Sequence, residues 1–178
     1  MTSTTHFNRL ARLLHWLMAA LIVAMLFIGV AMVASLSLRP SLLDLHRPLG
    51  IAIGLLALMR AANRLTRGTP SLPPDLPRWQ VAAAHASHIL LYALMFSLPL
   101  IGWAMLSAGN VPVKLYGNVY LPPMVSAGPV AYARLHLAHV WLAFLLFAVV
   151  VAHLCAALHH AWIRRDGVFA SMTRGSAH

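Results

Sequence analysis

His139 and His153 stand fourteen residues apart in a stretch, Leu135 to Ile163, that has no charged side chain across twenty-nine positions. An imidazole in hydrocarbon leaves its nitrogens without water, so such a residue needs a partner. Fourteen residues at about 100° each come within about 40° of four full turns, and both rings leave the helix on one side. A rise of about 1.5 Å per residue sets them about 21 Å apart, one near each face of a hydrocarbon layer about 30 Å thick. His15 and His46 lie near the ends of two other apolar segments. The set predicts two stacked metal or haem sites inside a helical membrane bundle.

The elements that must hold these residues follow from composition. Of 178 residues, 61% are hydrophobic and 9% charged, with a mean hydropathy of +0.78, far from a soluble globular domain. The net charge of +10 does not point to nucleic acid, because the thirteen basic residues flank long apolar runs and read as topology signals. The single cysteine, Cys155, excludes an internal disulfide and reads as a small packing residue.

Four spans are expected, at about 13–38, 45–65, 81–107 and 135–163, in a single membrane domain covering 1–178. The first is too long for a signal-peptide core and is expected to stay in the mature protein. Arg60 and Arg64, near the end of the second, are expected to snorkel toward headgroups. With the N-terminus in the cytoplasm, nine basic residues fall inside (Arg9, Arg12, Arg60, Arg64, Arg67, Arg78, Arg164, Arg165, Arg174) and four outside (Arg39, Arg47, Lys114, Arg134). That bias puts both termini in the cytoplasm. The inner connection, Arg67 to Gln80, carries four prolines and cannot be a regular helix. The outer one, Ala108 to Ala133, mixes Gly and Pro with Tyr116 and Tyr120 and is long enough to expect a function. No internal repeat suggests a transporter built from paired halves. The fold class is all-α, an integral membrane four-helix bundle with haems held between the helices.

In this topology the depths match pairwise, His15 with His153 on the inner side and His46 with His139 on the outer. Facing helices of a bundle build cofactor sites in this way. Haem fits better than zinc, which would want four nitrogen or sulfur ligands at each site. Two axial histidines leave iron no open position for oxygen, so such a haem carries electrons. His136 competes for the outer role, but seventeen residues from His153 it points about 100° off the shared face. It reads as interfacial. Gly29, fourteen residues after His15, and Gly50 and Gly54 after His46 give room either for macrocycles or for helix packing.

His160 lies two turns beyond His153 and about 20° off its face, below the inner site, and His88 reaches the same side from span three, with His85 one turn earlier. Quinone reduction takes up protons, and histidine titrates in the right range. His88 and His160 are therefore the candidate catalytic pair, with Arg78 a further candidate; simple interfacial snorkelling is the alternative. His6 and His178 lie in the tails. Outside, Arg39, Arg47, Lys114 and Arg134 are opposed only by Asp44, a balance that attracts a small anion or anchors headgroups. Arg47, beside His46, is best placed to meet a haem propionate.

Taken in order, Arg12-Leu13-Leu14-His15-Trp16, Leu45-His46, the His85-to-Gly102 run with Leu91-Tyr92 and Pro99, Leu135-His136 to His139, Leu158-His159-His160 and Arg165-Asp166-Gly167 resemble the prokaryotic cytochrome b561 family over nearly the full length. The resemblance implies a bacterial inner-membrane cytochrome with two haem b groups on His15, His46, His139 and His153. It further implies electron exchange with ubiquinone, and for members of this size superoxide oxidation at the outer haem. A haem b subunit serving a partner dehydrogenase or hydrogenase is the alternative, although such subunits usually carry an additional span. A haem-free transporter or structural membrane protein is a third reading.

Overall fold

The computed structural model describes residues 7–173, so His6, Arg174 and His178 lie outside the described residues. Four long helices run back and forth: α1 (Arg9–Ala34), α2 (Arg39–Arg67), α3 (Arg78–Ala108) and α4 (Pro129–Leu158). A π turn (His159–Arg164) continues α4, and a short α5 (Val168–Thr173) follows. The four long helices are each long and apolar enough to cross a membrane. The chain is a multi-pass helical membrane protein, and side chains such as Phe27, Val33, Trp141 and Phe144 face outward, as lipid permits.

Helix ends reach past the uncharged runs because polar residues start and stop them. The Asn8 side chain accepts the Ala11 N–H at 2.8 Å, so α1 begins at Arg9, ahead of the apolar run. It ends at Ala34 because Ser35 turns extended; the Ser35 hydroxyl takes the Leu38 N–H at 3.4 Å, and α2 starts at Arg39 with Pro40 in its first turn. A connection this short makes α1 and α2 antiparallel neighbours.

Close packing pairs α1 with α2 and α3 with α4, and joins α2 to α3. Gly54 of α2 lies against Pro99 of α3, where a Cβ would meet Cγ at 3.5 Å, an ordinary van der Waals contact. By contrast α4 does not pack closely on α1 or α2. The main buried cluster sits at mid-height: Met18 and Ile22 on α1, Ile53 and Ala57 on α2, Leu94, Met95 and Leu98 on α3, Leu146 and Val149 on α4. Since lipid tails are as apolar as leucine, these contacts hold the helices by van der Waals packing, with Ala57 fully buried among them.

The long connection between α3 and α4 contains an antiparallel hairpin, β1 (Val113–Tyr116) and β2 (Val119–Leu121), turned at Gly117 with φ +54°. Trp103 Nε1 donates to the Pro122 carbonyl at 2.9 Å, and the Met124 N–H donates to the Ser107 hydroxyl at 3.1 Å. These bonds tie the loop down over one end of the bundle. α4 starts at Pro129, whose missing N–H costs nothing at a helix start. At the opposite end the Phe7 N–H donates to the Ser171 carbonyl at 3.3 Å and Trp16 Nε1 to the Met172 carbonyl at 3.1 Å, so the two ends of the described chain meet there. The two ends of the bundle are called below the hairpin end and the terminal end.

Candidate functional site

Each long helix brings one residue to each of two levels, above and below the packed core. The same fourteen-residue interval separates His15 from Gly29, His46 from Arg60, His88 from Gly102 and His139 from His153. Because the helices alternate in direction, the terminal level holds His15, Arg60, His88 and His153, and the hairpin level holds Gly29, His46, Gly102 and His139. The terminal level is crowded with polar groups. The hairpin level has two imidazoles and two glycines.

At the hairpin level the His46 and His139 rings stand 6.2 Å apart between centres, and at the terminal level His15 and His153 stand 6.3 Å apart. Two imidazoles on opposite sides of one metal ion, with nitrogen–metal bonds of about 2.0–2.1 Å and ring centres roughly 1.1 Å behind the bonded nitrogens, stand about 6.2–6.4 Å apart, farther than at a tetrahedral angle. Both pairs have that separation. Each joins α4 to a helix that does not pack closely on it, which leaves width between their backbones. Nδ1 of His46 and Nδ1 of His139 are buried without a hydrogen-bond partner. A Cβ at Gly102 would stand 3.3 Å from Cε1 of His139, so the glycine keeps that ring's position free. Among the described residues no three His, Cys, Asp or Glu side chains form a metal-binding group. Paired imidazoles match haem, which brings its own four equatorial nitrogens, better than a tetrahedral ion.

His136 does not join the hairpin-level pair; its ring stacks on Tyr132, 5.9 Å away and tilted by 22°. Arg47 is mostly enclosed, with its Nη1 3.4 Å from Asp44 and its Nε buried without a partner. It lies one residue from His46 with donor capacity to spare.

The terminal level departs from expectation at Arg60. Snorkelling would take its guanidinium out toward headgroups, but Nη1 turns into the bundle and donates to Nδ1 of His15 at 2.6 Å. The reason is its place on the His46 face of α2, four turns on, and that interval is the signal that could have identified it. The His88 ring stands 5.5 Å from His153, closer than two axial ligands of one ion would be, so His88 lies beside the His15–His153 pair. Arg60, Asn63, Arg64 and Tyr92 line a small cleft at this end together with Phe7 and Met172. The Tyr92 hydroxyl and Nη1 of Arg12 are buried without partners.

His160 lies about 10 Å further along the helix than His153 and makes no ring contact with His88. The helix widens into the π turn at His159, closed by the Arg165 N–H donating to the His160 carbonyl at 2.8 Å, and Arg165 then takes a left-handed φ of +54°. This reversal brings Asp166 back to His160, with Oδ2 at 2.7 Å from the ring Nδ1. Asp166 also accepts from Arg164 Nε at 2.9 Å, and Arg164 Nη2 donates to Asp75 at 2.7 Å. No partner was expected for Asp75 or Asp166 from sequence. The signal was their scarcity: the chain has three acidic residues, and Asp44, Asp75 and Asp166 each pair with an arginine.

The prokaryotic cytochrome b561 family profile matches residues 6–175. Relatives include cytochrome b561 homolog 2 of Escherichia coli K12, 26% identical over 89% of this chain and 86% of the relative. Cytochrome b561 homolog 1 of the same organism is 30% identical over 72% of this chain and 73% of its own length. A Yersinia pestis protein named probable superoxide oxidase CybB is 30% identical over 89% of this chain and 90% of its own. With two imidazole pairs at metal-sharing distance and a family match over nearly every residue, the chain belongs to the prokaryotic cytochrome b561 family of haem b membrane electron-transfer proteins.

Proposed function

We propose that the chain is a superoxide:ubiquinone oxidoreductase holding two haem b groups, one on His46 and His139, the other on His15 and His153. The observation that carries this reading is the pair of imidazole pairs, 6.2 and 6.3 Å between ring centres, stacked on one helix. The similarity to the Yersinia pestis protein named probable superoxide oxidase supports the donor. Held by these imidazole pairs, haem b would supply one-electron transfer at each level. Each superoxide anion loses one electron to become dioxygen; ubiquinone takes two electrons and two protons to become the quinol.

The chain's residues prepare each end for its reactant. In this orientation the terminal end faces the cytoplasm and the hairpin end faces out, as the positive-inside count favours. Arg39, Arg47, Lys114 and Arg134 belong to the hairpin half of the chain and attract the anionic donor. Arg47 at the hairpin level, and Arg12, Arg60, Asn63, Arg64 and Tyr92 at the terminal level, supply donors for haem carboxylates. At the terminal end His88 and His160 deliver protons to ubiquinone.

A reduced-minus-oxidised spectrum of the purified chain with haem quantitation is expected to give two haems b per chain, and one or none overturns the paired sites. In stopped flow, superoxide should reduce the chain and a ubiquinone analogue should reoxidise it. Reduction that requires an added partner protein overturns the independent oxidoreductase.

A further inference from the structure

His160 is the one proposed proton donor whose ring is held by a carboxylate. Its Nδ1 stands 2.7 Å from Asp166 Oδ2, and the side chains of both residues are largely enclosed. Asp166 is itself held: Oδ2 accepts from Arg164 Nε at 2.9 Å, and Oδ1 accepts the Val168 N–H at 3.3 Å. Arg164 reaches on to Asp75 at 2.7 Å, tying the arrangement to the proline-rich connection. Burial works to raise the Asp166 carboxyl's pKa, but hydrogen bonds from Arg164, His160 and the Val168 N–H outweigh it and hold the group below the ordinary carboxylate range. Near neutral pH Asp166 is an ionised, acceptor-only group. The hydrogen between it and His160 Nδ1 must therefore belong to the imidazole.

We propose that Asp166 is a positioning residue that fixes His160 as the Nδ1–H tautomer and leaves Nε2 as the atom that carries protons to ubiquinone, with Arg164 and Asp75 holding Asp166 in place. A carboxylate on one imidazole nitrogen fixes the ring's orientation and leaves the other nitrogen for chemistry. The π turn and the left-handed Arg165 have a use in this arrangement, since they return the chain so that Asp166 reaches a ring six residues earlier. For each proton delivered, Nε2 first takes a proton from bulk solvent to give the imidazolium that Asp166 balances; that Nε2–H bond then breaks as an O–H bond forms on the quinone, and the ring returns to its neutral Nδ1–H form. The two electrons come from two superoxide anions, each becoming dioxygen.

This inference rests on the proposed role of His160, and a double-mutant cycle separates the two. His160→Asn is expected to keep both haems and their reduction by superoxide while slowing reoxidation by a ubiquinone analogue about 100-fold or more. Asp166→Asn is expected to slow the same step about 10-fold through kcat, with KM for the analogue unchanged. The double variant should be no slower than His160→Asn alone. If His160→Asn has no effect, the reading of His160 falls and this inference with it. If His160→Asn is slow while Asp166→Asn is unaffected or multiplies the loss, only the positioning role is overturned. Nitrogen-15 NMR of the histidine-labelled wild-type protein gives an independent check that needs no folded variant. The neutral His160 ring should show a protonated Nδ1 and a bare Nε2; the reverse tautomer overturns the proposal.

Discussion

At the scale of single residues, the alternatives His139 and His136 lie one helical turn apart and meet different surroundings. His139 faces His46 with 6.2 Å between ring centres and Gly102 against its edge, whereas His136 stacks on Tyr132. His139→Ala is therefore expected to lower haem from two per chain to one, removing the hairpin-level signal, while His136→Ala retains both. Haem quantitation checks this, and the opposite result would reassign the ligand. That the two rings would meet different surroundings was legible from sequence because helical phase is a local property: three residues turn a side chain by about 300° wherever the helix lies. The inward turn of Arg60 was not legible in the same way. A guanidinium near a helix end can run out to headgroups or into a polar pocket, and only the presence of His15 Nδ1 at 2.6 Å shows which.

At the scale of elements, the end of α4 is where local pattern and structure part. An apolar run with helical periodicity predicts α-helix through Ile163, but the chain widens into a π turn from His159. Nothing in that run announces the change. The compensation is spatial, an ion-pair chain from His160 through Asp166 and Arg164 to Asp75 in a distant connection. The Asp166 carboxyl is depressed in the folded protein by hydrogen bonds that outweigh its burial. A depressed folded value means that its contribution is complete above the unfolded carboxylate value of about 3.9 and is lost as pH falls through the folded value. Thermal unfolding in detergent should show wild type ahead of Asp166→Asn by on the order of 1 kcal/mol at about pH 5, and less at about pH 3. A constant gap over that interval would show that the carboxylate's charge does not contribute. The hairpin at 113–121 was also unforeseen, because its stability depends on Val113 being buried and on Trp103 and Ser107 of α3 bonding to the loop. A two-stranded hairpin alone is marginal in water.

At the scale of the whole molecule, the core and the cofactor levels alternate along the bundle axis. Apolar packing occupies the middle, and a ring of four phase-matched residues lies on either side of it. This division leaves the two ends free to differ. The hairpin half is basic, with Arg39 and Arg47 in the first turns of α2, Lys114 in β1 and Arg134 in the first turns of α4, and Asp44 as its only acid. If those charges steer an anionic donor, the bimolecular rate of reduction by superoxide should fall several-fold as ionic strength rises from about 10 mM to about 500 mM, since the Debye length shrinks from about 30 Å to a few ångströms. Reoxidation by a neutral ubiquinone analogue should hardly change. A superoxide rate indifferent to salt would remove the basic end from the mechanism.

Sequence alone determined that the chain crosses a membrane as a helical bundle and which face of each helix carries its histidines. Hydropathy and helical phase depend only on neighbours along the chain. The His15–His153 and His46–His139 pairings could be inferred from depth, because alternating helices in a layer of fixed thickness leave few ways to match them. Only the tertiary structure decided that His88 stands beside the terminal-level pair, that Arg60 turns inward and that Asp166 reaches His160. Each of these depends on which helices pack closely and which stand apart, and on a chain reversal at Arg165, and those are set by contacts between residues distant in sequence.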